Sequence, residues 1–129
     1  MATYLLDTSV IIDFLNGKRG RPELLESLLR RENMLACCSI IVTEVYAGVR
    51  PHEAAKTDAF LRRLDYREVT WDLARRAGLL RNEWRRKGHT LSFTDVTIAA
   101  TAMAYGLVLM TDNRKHFPMP ELSLYPLAE

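Results

Sequence analysis

The shortness of the apolar runs most constrains what this chain can fold into. Thr3 to Leu6, Met34 to Cys38 and Leu107 to Met110 are mostly apolar runs of four or five residues. Short continuous runs of this kind suit strands of a parallel sheet covered on both faces by helices. The segments between them carry helical spacing. Val10, Ile11, Phe14 and Leu15 repeat behind Thr8 or Ser9 as a cap, and Gly17 and Gly20 end that helix. Pro22 starts the next, with Leu24, Leu25, Leu28 and Leu29 as its stripe. Ser39 can cap a third helix through Val49, with Ile41, Val42, Val45 and Tyr46 on its apolar side. Pro51 opens a fourth, in which Phe60, Leu61 and Leu64 are apolar.

Trp71 to Lys87 reads as a long amphipathic helix, with Leu73, Ala77, Leu79, Leu80 and Trp84 among arginines and Gly88 as its stop. Asp95 to Tyr105 is almost uninterrupted Val, Ile, Ala and Met, a buried helix capped by Ser92 or Thr94 and closed by Gly106. Tyr66 to Val69 and Leu122 to Tyr125 are weaker strands. Strands alternating with helices predict an α/β fold with a mostly parallel sheet. The length, 129 residues, suits one domain spanning 1–129, and no linker or repeat divides it. With 48% hydrophobic and 26% charged residues, the chain has enough apolar material for a core, which excludes disorder as a global description.

Charge placement says more than total charge. Lys and Arg number 18 against 16 Asp and Glu, a formal +2, too small a bias to indicate nucleic acid by itself. The basic residues are concentrated between Arg50 and His89, where Arg85, Arg86 and Lys87 end the long helix. Cys37 and Cys38 are adjacent and sit in an apolar run, so they read as small core residues rather than a disulfide. No signal-peptide pattern opens the sequence and no apolar stretch is long enough to span a bilayer, so the expected protein is soluble and cytoplasmic, with no membrane role.

The chemistry lies in the acids. Asp7 follows the first strand and Asp112 follows the strand at Leu107 to Met110, so both fall at the carboxyl edge, where parallel sheets bind ligands. Asp95 opens the buried helix, and Glu44 lies among apolar residues in IIVTEVYAG. Each acid alone has an ordinary structural reading: a turn residue, a helix-start acid, a half-exposed helix residue. Several acids brought to one edge repel one another, and a divalent cation removes that penalty. Oxygen ligands without His or Cys favour Mg²⁺ or Mn²⁺ over Zn²⁺.

DTSVIIDFL, TEVYAG, SFTDVTIAATAMAYG and LVLMTDNRKHF, in that order, resemble the signature of the PIN-domain family, and specifically its VapC toxins of toxin–antitoxin pairs. The resemblance covers essentially the whole chain. It implies a three-layer α/β/α sandwich, a metal-dependent endoribonuclease using Mg²⁺ or Mn²⁺, and a cognate VapB-like antitoxin, with a homodimer or a toxin–antitoxin hetero-oligomer as the assembly. The family's acidic positions match Asp7, Glu44, Asp95 and Asp112, its hydroxyl near the first aspartate matches Ser9, and its polar residues near the last match Thr111 and Asn113.

On this reading Asp7 and Asp95 hold one or two metal ions, with Glu44 and Asp112 binding directly or through water. Ser9 and Thr111 position water or phosphate, and Asn113 orients Asp112. Arg85, Arg86 and Lys87 are the first choice for RNA contacts, because phosphate contacts supply much of nucleic-acid affinity. Lys115 and His116 follow Asp112 closely enough to reach a bound phosphate. The antitoxin groove is expected among Leu24, Leu25, Leu28, Leu29, Val45, Tyr46 and Val49. Rival readings are a nuclease of RNA processing and a catalytically silent PIN-like binding module. A signalling receiver domain fits poorly, since Asp7 is followed by Thr8 and Ser9 rather than by a second acid.

Overall fold

A computed structural model of the chain describes residues 1–127. Four strands form one sheet, β1 (Thr3–Leu6), β2 (Met34–Cys38), β3 (Asp65–Arg67) and β4 (Val108–Met110), in the order β3-β2-β1-β4. Every pairing is parallel, with Tyr4 beside both Leu35 and Val108. The helices are α1 (Thr8–Leu15), α2 (Arg21–Arg30), α3 (Ser39–Ala47), α4 (Ala54–Leu61), α5 (Trp71–Arg86) and α6 (Phe93–Tyr105).

With the right-handed crossovers that parallel strands use, the path β1 to β2 to β3 lays α1 to α4 on one face. The return from β3 to β4, past β1, lays α5 and α6 on the other. The packing agrees: α1 rests on α2 and α3, and α5 pairs with α6. The result is the α/β/α sandwich that the resemblance implies. Leu5, Leu6, Leu109 and Met110 are fully buried between the layers. Helix α6 buries Val96, Ile98, Ala99, Ala100, Thr101 and Ala102, as its apolar composition predicts. Gly106 closes it in the left-handed region, at φ 66°, and turns the chain directly into β4.

Several boundaries differ from the sequence expectation. Asp7 itself caps α1, so Thr8 lies inside the helix. Helix α3 stops at Ala47, and Ser39 is its first residue rather than its cap. Pro51 begins a single 3₁₀ turn, Pro51–Glu53, before α4. Ser92, not Thr94, caps α6, which begins two residues earlier than expected. Leu79 is half exposed and does not share the buried side of α5. The strand expected at Leu122 to Tyr125 reduces to one parallel bridge, Leu124 beside Leu109, because only Leu109 exchanges backbone bonds with Ser123 and Tyr125. Cys37 and Cys38 are buried free thiols. Among the described residues no helix is long and apolar enough to cross a membrane.

Candidate active site

The strand order changes direction beside β1, which leaves a crevice between the carboxyl ends of β1 and β4, the position where open α/β sheets bind ligands. Asp7 stands on one side of it. Its N–H donates to the Met110 carbonyl at 2.9 Å, so the exits of both strands are tied together. Its Oδ1 accepts from the Thr8 N–H at 2.8 Å and caps α1, while its Oδ2 accepts from the Thr111 hydroxyl at 2.7 Å. Burial pushes the Asp7 carboxyl above the usual carboxylate range, and the charges of Asp95 and Glu44 push the same way, against the bonds from Thr111 and Thr8.

Thr8 also links Asp7 to the third element. Its hydroxyl donates to Glu44 Oε1 at 2.7 Å, which fixes the α3 carboxylate beside the start of α1. Asp95 sits in the first turn of α6, where its own N–H donates to the Ser92 hydroxyl at 3.0 Å and its charge meets the positive end of the helix. His116 lies on it, Nδ1 to Oδ2 at 3.4 Å. The structure thus gathers Asp7, Glu44 and Asp95 into one electrostatic neighbourhood, from positions that sequence spacing alone leaves apart.

Asp112 is held differently. Arg21 Nη2 donates to its Oδ1 at 2.7 Å, and Arg19 Nη1 approaches the same oxygen at 3.2 Å. The Ser9 hydroxyl lies 3.4 Å from its Oδ2. Asn113 does not orient Asp112 as expected; its backbone N–H donates to Thr111 Oγ1 at 3.0 Å and so steadies the hydroxyl that serves Asp7. Arg21 and Arg19 were not legible as site residues, since basic residues in a Gly-flanked loop read as solvent-facing.

The acids at this edge offer carboxylate oxygens, the chemistry that suits a hard divalent cation, with the His116 ring against Asp95 as the nitrogen beside them. The charges of Glu44 and Asp95 acting on buried Asp7 form a repulsion that such a cation would relieve. Among the described residues, however, no three His, Cys, Asp or Glu side chains are grouped so as to hold one ion as they stand. Asp112 meets arginines rather than another acid. The donor chemistry fits the metal, and the Arg21 pairing sets Asp112 apart from the other three.

The basic end of α5 is exposed. Arg85 bonds Asn82 on its own helix at 3.0 Å, and Lys87 pairs with Glu83 at 3.4 Å while lying 4.5 Å over the Trp84 ring. Those contacts run along the helix and connect neither residue to the acids. Phe93, at the start of α6, is 71% exposed, with the Arg81 guanidinium 4.4 Å over its ring.

Three-layer architecture and an acidic crevice at the β1–β4 exit define the chain as a member of the PIN-domain family, whose model matches residues 4–120. Within that family it is similar to the VapC ribonucleases. Ribonuclease VapC19 of Mycobacterium tuberculosis is 35% identical over 92% of this chain and 95% of that protein. Ribonuclease VapC10 of the same organism is 33% identical over 96% of this chain and 92% of its own length. Among solved structures, VapBC2 from Rickettsia felis bound to a DNA fragment from their promoter matches with a TM-score of 0.83 and 29% identity, covering 95% of this chain and 97% of that one. A toxin–antitoxin complex from Klebsiella pneumoniae matches at 0.78 and 29%, covering 96% and 99%.

Proposed function

We infer that the protein is an endoribonuclease, the toxin half of a VapBC-type toxin–antitoxin pair. The observation that carries this reading is the set of acids at the β1–β4 exit, in a chain that aligns with VapC ribonucleases over nearly its full length. Asp7 and Asp95 would hold Mg²⁺ or Mn²⁺, with Glu44 beside them and Asp112 acting through water. When bound, such an ion activates water and stabilises charge on the phosphate. Thr8 and Thr111 fix Glu44 and Asp7, and Ser9, 3.4 Å from Asp112 Oδ2, would orient water or phosphate. Arg85, Arg86 and Lys87 offer exposed cations for the RNA backbone.

The antitoxin reading is supported by an apolar groove of about 410 Å³, lined by Phe14, Pro22, Leu25, Leu29, Phe60 and Leu64. Of the expected set, Leu29, 52% exposed, lies open in this groove and Tyr46 is exposed outside it, Leu24 and Val49 are half-buried, and Leu25, Leu28 and Val45 belong to the core. An amphipathic helix of the partner would seat there.

The test is cleavage of a mixed cellular RNA pool by antitoxin-free protein with Mg²⁺ or Mn²⁺, alongside EDTA and Asp95→Asn. Discrete fragments should appear with metal and vanish with EDTA, and Asp95→Asn should lose more than about 100-fold in rate, since even groups that merely support a ligand cost 10- to 100-fold. Equal cleavage by Asp95→Asn would remove Asp95 from the site, and no cleavage by folded wild type with either metal would favour the binding-module reading.

A further inference from the structure

The residue that the mechanism above leaves unused is Arg21, a buried arginine at the active-site edge. Only 4% exposed, it begins α2, yet its side chain leaves that helix to reach Asp112. The approach depends on the loop before it. Arg19 and Gly20 both adopt the left-handed region, at φ 57° and 70°, a pair of conformations that only glycine takes without strain. The turn they make places the Arg19 carbonyl 3.1 Å from Arg21 Nη1 and brings the Arg19 guanidinium onto the same carboxylate oxygen. Arg21 Nε stays buried with no partner among the described residues, so the head group is placed by what Nη1 and Nη2 reach.

Two positive charges therefore face Asp112, one of them, Arg19, shared with Asp13 Oδ2 at 3.6 Å. Asp7 feels the negative charges of Glu44 and Asp95, but Asp112 is neutralised from within the chain. Because Arg21 and Asp112 are both largely shielded from water, solvent screens this pairing weakly. A cation placed at Asp112 would feel the charge of both arginines. The same guanidinium fixes the rotamer of Asp112 and leaves its Oδ2 toward Ser9.

We propose that Arg21 is a positioning residue that withholds Asp112 from direct metal ligation and holds its free oxygen toward the water or phosphate that Ser9 orients. The inference rests on the metal-dependent reading of the site and makes a prediction of unusual sign. Removing Arg21 should tighten metal binding while slowing the reaction, because a cation leaves the site and a carboxylate is released to move. A residue that only supported the fold would weaken both.

The experiment uses the full chain free of antitoxin, with Mn²⁺ as the probe and electron paramagnetic resonance of free Mn²⁺ as the readout. Arg21→Met should bind Mn²⁺ about ten-fold more tightly than wild type, the order expected for one nearby charge in a partly shielded site, and should cleave RNA more slowly. Arg21→Lys should return both values toward wild type. Asp112→Asn should weaken Mn²⁺ binding only by about the ten-fold that one nearby charge carries and should leave the site able to bind, since Asp112 is not a direct ligand on this reading. Should Arg21→Met fail to fold, Arg19→Gln supplies the same sign test from the exposed partner, with a smaller tightening. Unchanged or weaker Mn²⁺ binding in the arginine variants overturns the proposal, as does loss of binding in Asp112→Asn. Wild type that binds no Mn²⁺ sinks the metal-site reading itself, and this proposal with it.

Discussion

The hydroxyl of Thr111 donates to the carboxylate of Asp7 at 2.7 Å, joining two residues 104 positions apart in the chain. The same oxygen accepts the Asn113 N–H at 3.0 Å, and the side chain is 1% exposed. One threonine thus satisfies a buried acid and a backbone donor together.

Thr111→Val keeps the shape and removes both bonds. Leaving buried groups without partners should cost about 1–3 kcal/mol, read as a lower urea midpoint with an unchanged slope. The Asp7 carboxyl should also rise further, since one of the bonds that opposes its upward shift is gone.

Asp7 makes a prediction about pH in the absence of metal. Its folded carboxyl binds a proton more tightly than in the unfolded chain, so ionisation penalises the native state. The penalty is absent below the unfolded value, grows as pH rises toward the folded one, and is constant above it. Asp7→Asn removes it. In EDTA the variant should therefore match or exceed wild type in melting temperature at pH 7, and its advantage should shrink as pH falls through the carboxylate range. A difference independent of pH between 3 and 8, approximately, would argue that Asp7 does not carry this shift.

Asp112 and Asp95 should part company in stability. Asp112→Ala leaves buried Arg21 without its ion-pair partner, a change that costs roughly 3 kcal/mol where one member of a buried pair is removed. Asp95→Asn keeps the helix cap made by Ser92; it forfeits the favourable end charge, about 0.3–1 kcal/mol, and the exposed His116 pairing, while it relieves part of the repulsion on Asp7. Chemical unfolding of the two variants side by side checks the contrast.

The cysteines should be silent in the native protein. Burial pushes the Cys37 thiol up to about 11, and burial also raises Cys38. The thiolate is the reactive form, so neither should be alkylated by iodoacetamide at pH 8, about 3 units below the Cys37 value, until the chain is unfolded. Mass spectrometry before and after denaturation reads both sites.

Much of the sheet could be read from composition because β1, β2 and β4 are buried on both faces and show it as continuous apolar runs. The edge near Leu124 was overread, since two backbone bonds to Leu109 extend the sheet by one residue only. Asp7, Asp95 and Asp112 are legible as acids at element ends, and Glu44 as an acid inside an apolar helix. Their division of labour is not, because Thr8 reaching Glu44 and Arg21 reaching Asp112 are contacts across 36 and 91 residues. Such pairings follow from packing that no local pattern encodes.

Strand β4, at the edge of the sheet, pairs with β1, so the last strand along the chain lies against the first. Asp7 and Glu44 are made long before Thr111 and Asp112, and contacts as distant in sequence as Asp7 with Thr111 form late. Synthesis interrupted before β4 therefore yields three acids and no crevice. The order of the strands thus makes the pairing of β4 with β1 the step that completes the site.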